Sequence, residues 1–250
     1  MRRVLLPALL LVALVGAWQL AASTGAIADA LNLESFLVPS PAEIASSLWE
    51  NRSLLAENSW VTLREMLFGL GCALVAGVAF AVALHLFTTI RLASYPLLIA
   101  SQAVPILVIS PILVVWFGYG IGPKLIIIGL VCFFPITVST LAGLRSADPG
   151  AIKLMRTLYA SRRQILQRVE APGALPDLLS GVRIAAAIAP IGAVFAEWAG
   201  SSSGLGHLIL QDGAQLETAR QFAAVTILAL IALGLFGLVA LAERHVVSWR

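Results

Sequence analysis

Six stretches of the chain are apolar over close to the length a bilayer core demands: residues 4–22, 66–87, 95–117, 125–144, 182–199 and 222–242. A transmembrane helix needs roughly 20 mostly apolar residues. Polar positions gather between these stretches, above all in 23–65 and 145–181. No run of about ten residues alternates in polarity as the strands of a membrane β-barrel do. In lipid only helices and closed barrels satisfy their own backbone groups, so the stretches are expected to be helices. The pattern predicts an all-α polytopic membrane protein with six transmembrane helices, forming a single domain over 1–250.

Composition agrees. The chain is 60% hydrophobic and 12% charged, against about 45–50% and about 25% for soluble domains. The first stretch follows Arg2 and Arg3 and ends in small residues, LAAS. Its apolar run exceeds the roughly 7–15 residues of a signal peptide, and it is read as a retained anchor. Charge then orients the spans. With a cytoplasmic N-terminus, only Arg52, Arg64, Lys124 and Arg220 of the 16 basic residues fall outside. The excess of basic residues belongs inside, so both termini are expected in the cytoplasm, with 145–181 a cytoplasmic loop. Trp18, Trp116, Trp198 and Trp249 lie near predicted span ends, as interfacial aromatics do.

The connecting segments carry local signals. In PSPAEIASSLWE, Ser40 precedes Pro41 and stands three residues before Glu43, the pattern of a capped helix. It is expected to lie amphipathically in the external segment 23–65. Residues 118–124 read as a tight glycine-rich turn, and 207–220 as one mixed helix after SSSGLG. Cys72 and Cys132 form no CxxC pattern, and His85, His207 and His245 have no ligand spacing, so no metal or cofactor is expected. His85 is read as a satisfied core or interface residue.

The loop 145–181 holds more than topology requires. Asp148-Pro149-Gly150 reads as a turn or helix start. Met155, Leu158, Ile165, Leu166 and Val169 recur near helical spacing, with Arg156, Arg163 and Gln167 on another face. Ser161 is a candidate N-cap for a short helix over 162–169, ended by Ala171-Pro172-Gly173. The inside rule accounts for the arginines, but not for Gln164, Gln167, the apolar face or the spaced prolines.

This loop resembles the cytoplasmic signature of ABC importer permeases, which reads roughly Glu-Ala-Ala, three residues, Gly, nine residues, then Ile-x-Leu-Pro. With the family proline on Pro172, the glycine falls on Tyr159 and the Glu-Ala-Ala on Lys153, Leu154 and Met155. Two further stretches, SQAVPILVISPILVVWFGYGIGPK and EWAGSSSGLGHLILQ, resemble the nitrate/sulfonate/taurine-type permeases of this group. The resemblance implies a type I importer fold and a coupling helix over 161–168 that docks on an ATPase subunit. Candidate coupling residues are Arg156, Tyr159, Ser161, Arg162, Arg163, Gln164, Gln167, Arg168 and Glu170. Candidate pathway residues are Pro105 and Pro111, which should kink the third span, with Ile191, Glu197 and Trp198 on the fifth. A carboxylate such as Glu197 is costly in a span, so a functional or paired role is expected.

The implied protein is the permease of an ATP-driven importer in the bacterial inner membrane. No GxxxxGK[ST] occurs, so a separate ATPase dimer would hydrolyse ATP. A second copy of the chain and a periplasmic or lipid-anchored binding protein are the other expected partners, with no nucleic acid. The wording near Glu197 and LAERHVVSW is nearest to permeases for the thiamine pyrimidine precursor, hydroxymethylpyrimidine. Riboflavin, taurine, alkanesulfonates and nitrate are alternatives within the family. A secondary transporter would show repeats or charged midplane sites, and an intramembrane enzyme would show a catalytic set. The chain displays neither.

Overall fold

The computed structural model describes residues 2–246, with side chains from Leu5 onward. The side chains of Arg2 and Arg3, together with Trp249 and Arg250, lie outside the described residues. The chain forms two compact units, Met1–Val61 with Ser202–Leu228 and Thr62–Ser201 with Ala229–Arg250.

The first unit holds α1 (Arg2–Ser23), α2 (Ala26–Leu31), a 3₁₀ turn (Ser35–Leu37), α3 (Pro41–Glu50) and the start of α4 (Arg52–Leu86). It also holds α11 (Leu205–Gln215) and the start of α12 (Thr218–Val246). The capping box expected at Ser40 is present. Its hydroxyl accepts from the Glu43 N–H, and Glu43 Oε2 accepts from the Ser40 N–H at 2.7 Å. The single helix expected over 207–220 is two helices. Leu216 adopts a left-handed φ of 60° and ends α11. Across that break Arg220 grips the fully buried Asp212 through both oxygens, at 2.7 and 3.1 Å. In the same unit the side chain of Asn58 on α4 accepts the Gly204 N–H at 2.7 Å.

The second unit holds the rest of α4, then α5 (Thr88–Ala100), a 3₁₀ turn (Ser101–Ala103), α6 (Ile106–Phe117) and α7 (Ile121–Arg145). After these come α8 (Pro149–Thr157), α9 (Arg162–Ile165), a π turn (Leu166–Glu170), α10 (Ala171–Gly200) and the remainder of α12. Helix α7 is its axis, and glycines set how closely the neighbours approach. A Cβ on Gly181 of α10 would come 2.8 Å from the Pro135 carbonyl oxygen of α7. One on Gly69 of α4 would come 2.5 Å from the Ile128 side chain. Small residues at such crossings are how membrane helices gain packing that lipid cannot supply.

Among the described residues five helices are long and apolar enough to cross a membrane, or six if the pair at 88–117 is one broken span. The third predicted span is therefore not a kinked rod. Its halves meet at 100°. The break falls at Val104–Pro105, where Val104 is extended (φ −84°, ψ 118°), as a residue before proline prefers. Pro111 lies inside α6 without a second break.

The predicted stop at 171–173 is also corrected. Helix α10 starts there and runs on through Pro176 and Pro190. The preceding π turn makes this possible. The Ala171 N–H bonds back to Leu166, and the wider turn gives room before Pro172, which lacks an N–H of its own.

Candidate functional site

The Ser161 segment is built from local signals. The Ser161 hydroxyl accepts from the Gln164 N–H at 3.3 Å, and Gln164 Oε1 accepts from the Ser161 N–H at 2.7 Å. This reciprocal cap starts α9. Ahead of it Asp148 caps α8, with its carboxylate accepting from Gly150 and Ala151. Helix α8 ends in a Schellman arrangement: the Ala160 N–H reaches the Met155 carbonyl, and Tyr159 sits at φ 55°. Tyr159 is the position where the signature places glycine. The left-handed backbone that suits glycine is present, although the residue is tyrosine.

The turn at Tyr159 resets the helical phase, so the five-residue apolar face does not form as one surface. Ile165 is buried, but Leu158 projects outward with Leu154 and Tyr159, the last 96% exposed. Arg156, Ser161, Arg162, Arg163, Gln164, Gln167 and Arg168 are exposed as well. The segment thus offers apolar side chains from α8 beside a row of basic and amide side chains. Glu170 does not join them. It is buried, accepts from Arg162 at 2.5 Å through Oε1, and lies 3.0 Å from His85 Nε2 through Oε2. His85, expected to be satisfied, is so through Nε2 only: its buried Nδ1 has no hydrogen-bond partner among the described residues.

At the other end of α10 the pathway candidates separate. Pro105, Pro111, Ile191 and Trp198 are exposed, the last with its ring edge-on to Phe195 at 5.7 Å. Glu197 is buried and accepts from Thr62 at 2.6 Å. Its neighbour Ala196 is buried and packs with Leu113 and Ile127.

Beside this end lies a polar group that the sequence did not suggest. Lys124, expected in an external turn, is buried in the first turn of α7. Its ammonium donates to Glu65 at 2.6 Å and to the Ser201 hydroxyl at 2.7 Å. The clue available was charge balance: an acid and a base each sat within a turn of a predicted span end.

A cavity of about 460 Å³ opens at the broken span. Phe80 and Phe133 line it, with ring centroids 5.6 Å apart, together with Ser94, Ser101 and Gln102. No charged side chain among the described residues lines it. Binding cavities for small molecules span about 300–1,000 Å³ and combine apolar walls with a few polar groups.

Residues 69–248 match the family described as the binding-protein-dependent transport system inner membrane component. The chain belongs to this family. It is the permease component of an ABC importer of the nitrate/sulfonate/taurine type and a multi-pass protein of the cytoplasmic membrane. A probable ABC transporter permease of Haemophilus influenzae is 37% identical over 94% of this chain and 93% of its own length. The formylaminopyrimidine transport permease ThiX of Halalkalibacterium halodurans is 35% identical, over 87% of each chain. The riboflavin permease RibX of Chloroflexus aurantiacus is 36% identical, over 86% of this chain and 81% of its own. Among solved structures, an inward-facing methionine ABC transporter, MetNI, contains a chain of the same fold. Its TM-score is 0.65 at 20% identity, covering 79% of this chain and 98% of that one. The type I importer permease fold of this permease follows from that likeness.

Proposed function

We propose that residues 1–250 act as one permease domain, with the α8–α9 end and both termini in the cytoplasm, and that its cargo is a neutral heteroaromatic of the thiamine pyrimidine class. Two copies would form the pathway about a twofold axis. A separate ATPase dimer would sit beneath, and a periplasmic or lipid-anchored binding protein would deliver cargo from outside. ATP closes the ATPases because it binds their closed state better, and the two α9 helices travel with them. The spans then open outward, receive the cargo and release it inward as the ATPases part.

The observation that carries the coupling reading is the capped, exposed α9, with Arg163, Gln164, Gln167 and Arg168 beside Leu154, Leu158 and Tyr159. A mixed surface of this kind suits a protein groove better than lipid headgroups alone. The cargo reading draws support from the uncharged cavity with Phe80, Phe133 and Gln102. Formylaminopyrimidine and riboflavin, named for two relatives, are uncharged planar rings. A taurine or sulfonate would call for a cation. Riboflavin is the second reading within the same chemistry.

Reversing charge at Arg163 tests the coupling. In the reconstituted transporter, Arg163→Glu is expected to cut cargo-stimulated ATP hydrolysis while the permease stays folded. Undiminished stimulation would remove Arg163 from the interface. Uptake of labelled hydroxymethylpyrimidine against riboflavin and taurine tests the cargo, and uptake of taurine alone would overturn that assignment.

A further inference from the structure

Side chains of α4 meet groups near both ends of α10. At one end Thr62 of α4 donates to Glu197 of α10 at 2.6 Å. At the other, His85 in the last turn of α4 meets Glu170 at the close of the π turn that leads into α10. The second tie includes the coupling segment. Arg162, the first residue of α9, donates to Glu170 Oε1. Glu170 is only 3% exposed. A carboxylate so buried needs a counter-charge and hydrogen bonds on both oxygens, and Arg162 and His85 supply them from two different elements.

The placement matters because of the π turn. Between α9 and α10 the backbone ladder shifts at Leu166–Glu170. That is a natural point for one helix to bend against the next, since insertions of this kind interrupt the regular ladder. Arg162 and Glu170 bracket the turn and close it like a strut. His85 fastens the same carboxylate to α4. With α7 wedged against both helices through Gly69 and Gly181, little slack remains for α9 to move alone.

We propose that Glu170 and His85 are positioning residues of the coupling step: they lock α9 to α4 as well as to α10, so that a displacement of α9 moves both spans together. The inference rests on the reading of α9 as the ATPase contact. Neither residue lines the cavity at the broken span. Their part is to keep the link stiff, so that displacement of α9 is transmitted into the spans rather than lost as bending at the π turn.

The test uses the complete transporter in proteoliposomes, with cargo uptake and ATP hydrolysis measured together. His85→Leu puts an apolar side chain of similar bulk in place of the imidazole and removes the tie. Expected is ATP hydrolysis near the wild-type rate with cargo moved per ATP down about tenfold. Glu170→Gln, which keeps an acceptor for His85, should retain more of the ratio than Glu170→Ala. The exchange Arg162→Glu with Glu170→Arg should recover part of what Arg162→Glu alone loses. A purely structural role gives a different result: uptake and hydrolysis fall together with the amount of folded permease, at a constant ratio. That result, or an unchanged ratio in folded His85→Leu, would overturn the proposal. Failure of the underlying reading is separable, because undiminished cargo-stimulated ATP hydrolysis in Arg163→Glu, a variant that leaves His85 and Glu170 in place, would expose it.

Discussion

Thr62 of α4 donates a 2.6 Å hydrogen bond to Glu197 of α10, and both side chains are shut away from solvent. An acid at this depth is tolerable only when its oxygens are answered. Glu197→Gln keeps an oxygen facing Thr62, whereas Glu197→Ala removes that acceptor and leaves a void. The alanine variant is expected to lose about 2 kcal/mol of stability, with glutamine clearly milder. Thermal unfolding of the purified permease checks the order of the two. Equal losses would show that the side-chain oxygen contributes nothing.

Lys124 and Glu65 make a sharper case, because both are ionic and both are buried. Lys124→Met strands the carboxylate without its partner. Breaking a buried pair from one side costs about 3–5 kcal/mol, while replacing both members with apolar residues is often near neutral. Lys124→Met is therefore expected to lower stability or yield strongly, and Glu65→Leu with Lys124→Met to recover most of the loss. A double-mutant cycle on unfolding midpoints measures this, and additive losses would contradict it.

These two pairs show what a linear reading reaches. The caps at Ser40 and Ser161 were legible because partner and signal lie three residues apart. Span positions were legible because hydropathy is a local property. Lys124 and Glu65 are 59 positions apart, and His85 and Glu170 are 85 apart, so neither contact has a local trace. Glu170 is grouped with the exposed coupling candidates in the sequence for that reason, although it is buried. Pro105 announced a disturbance in the third span, but its 100° angle depends on what packs around it. Proline at 172 argued for a helix end, and only the π turn, which has no sequence signature, lets the helix continue.

Tyr159 separates stability from docking. A non-glycine residue in the left-handed region costs about 1–2 kcal/mol, and Tyr159 sits there at φ 55° with its ring fully outward. Tyr159→Gly is expected to stabilise the isolated permease by about 1 kcal/mol. If the ring contacts the ATPase, the same change weakens that association. Opposite signs in thermal unfolding and in ATPase co-purification are the expected result. A variant that gains stability and binds as before would remove the ring from the interface.

Gly181 tests the close packing of α10 on α7. A new Cβ there would lie 2.8 Å from a backbone oxygen, the Pro135 carbonyl. Backbone cannot swing aside as a side-chain tip can, so Gly181→Ala is expected to cost about 1–3 kcal/mol. Gly71, on α4, has nothing within 4 Å of the same position. Gly71→Ala should gain up to about 1 kcal/mol from helix propensity alone. Melting both variants beside wild type gives the comparison, and a shared direction of change would refute the packing argument.

The cavity at the broken span offers the last test, and it separates ring chemistry from charge. Phe133 and Phe80, with ring centroids 5.6 Å apart, lie side by side in the lining of a space that Ser94, Ser101 and Gln102 also line. A planar ring gains about 0.5–1.5 kcal/mol from an aromatic neighbour beyond simple burial. Phe133→Leu keeps the wall apolar but removes the ring face, so uptake of the pyrimidine at low concentration should fall about fivefold, mainly through a higher KM. Ser94→Lys places a cation where none of the lining residues carries charge. It should depress pyrimidine uptake, because an unpaired ammonium in an apolar wall is costly and holds water there. If Phe133→Leu left the KM for pyrimidine untouched, the cavity would lie off the route of the cargo. If Ser94→Lys instead created uptake of a sulfonate, the cavity would be the place where the sign of the cargo is selected.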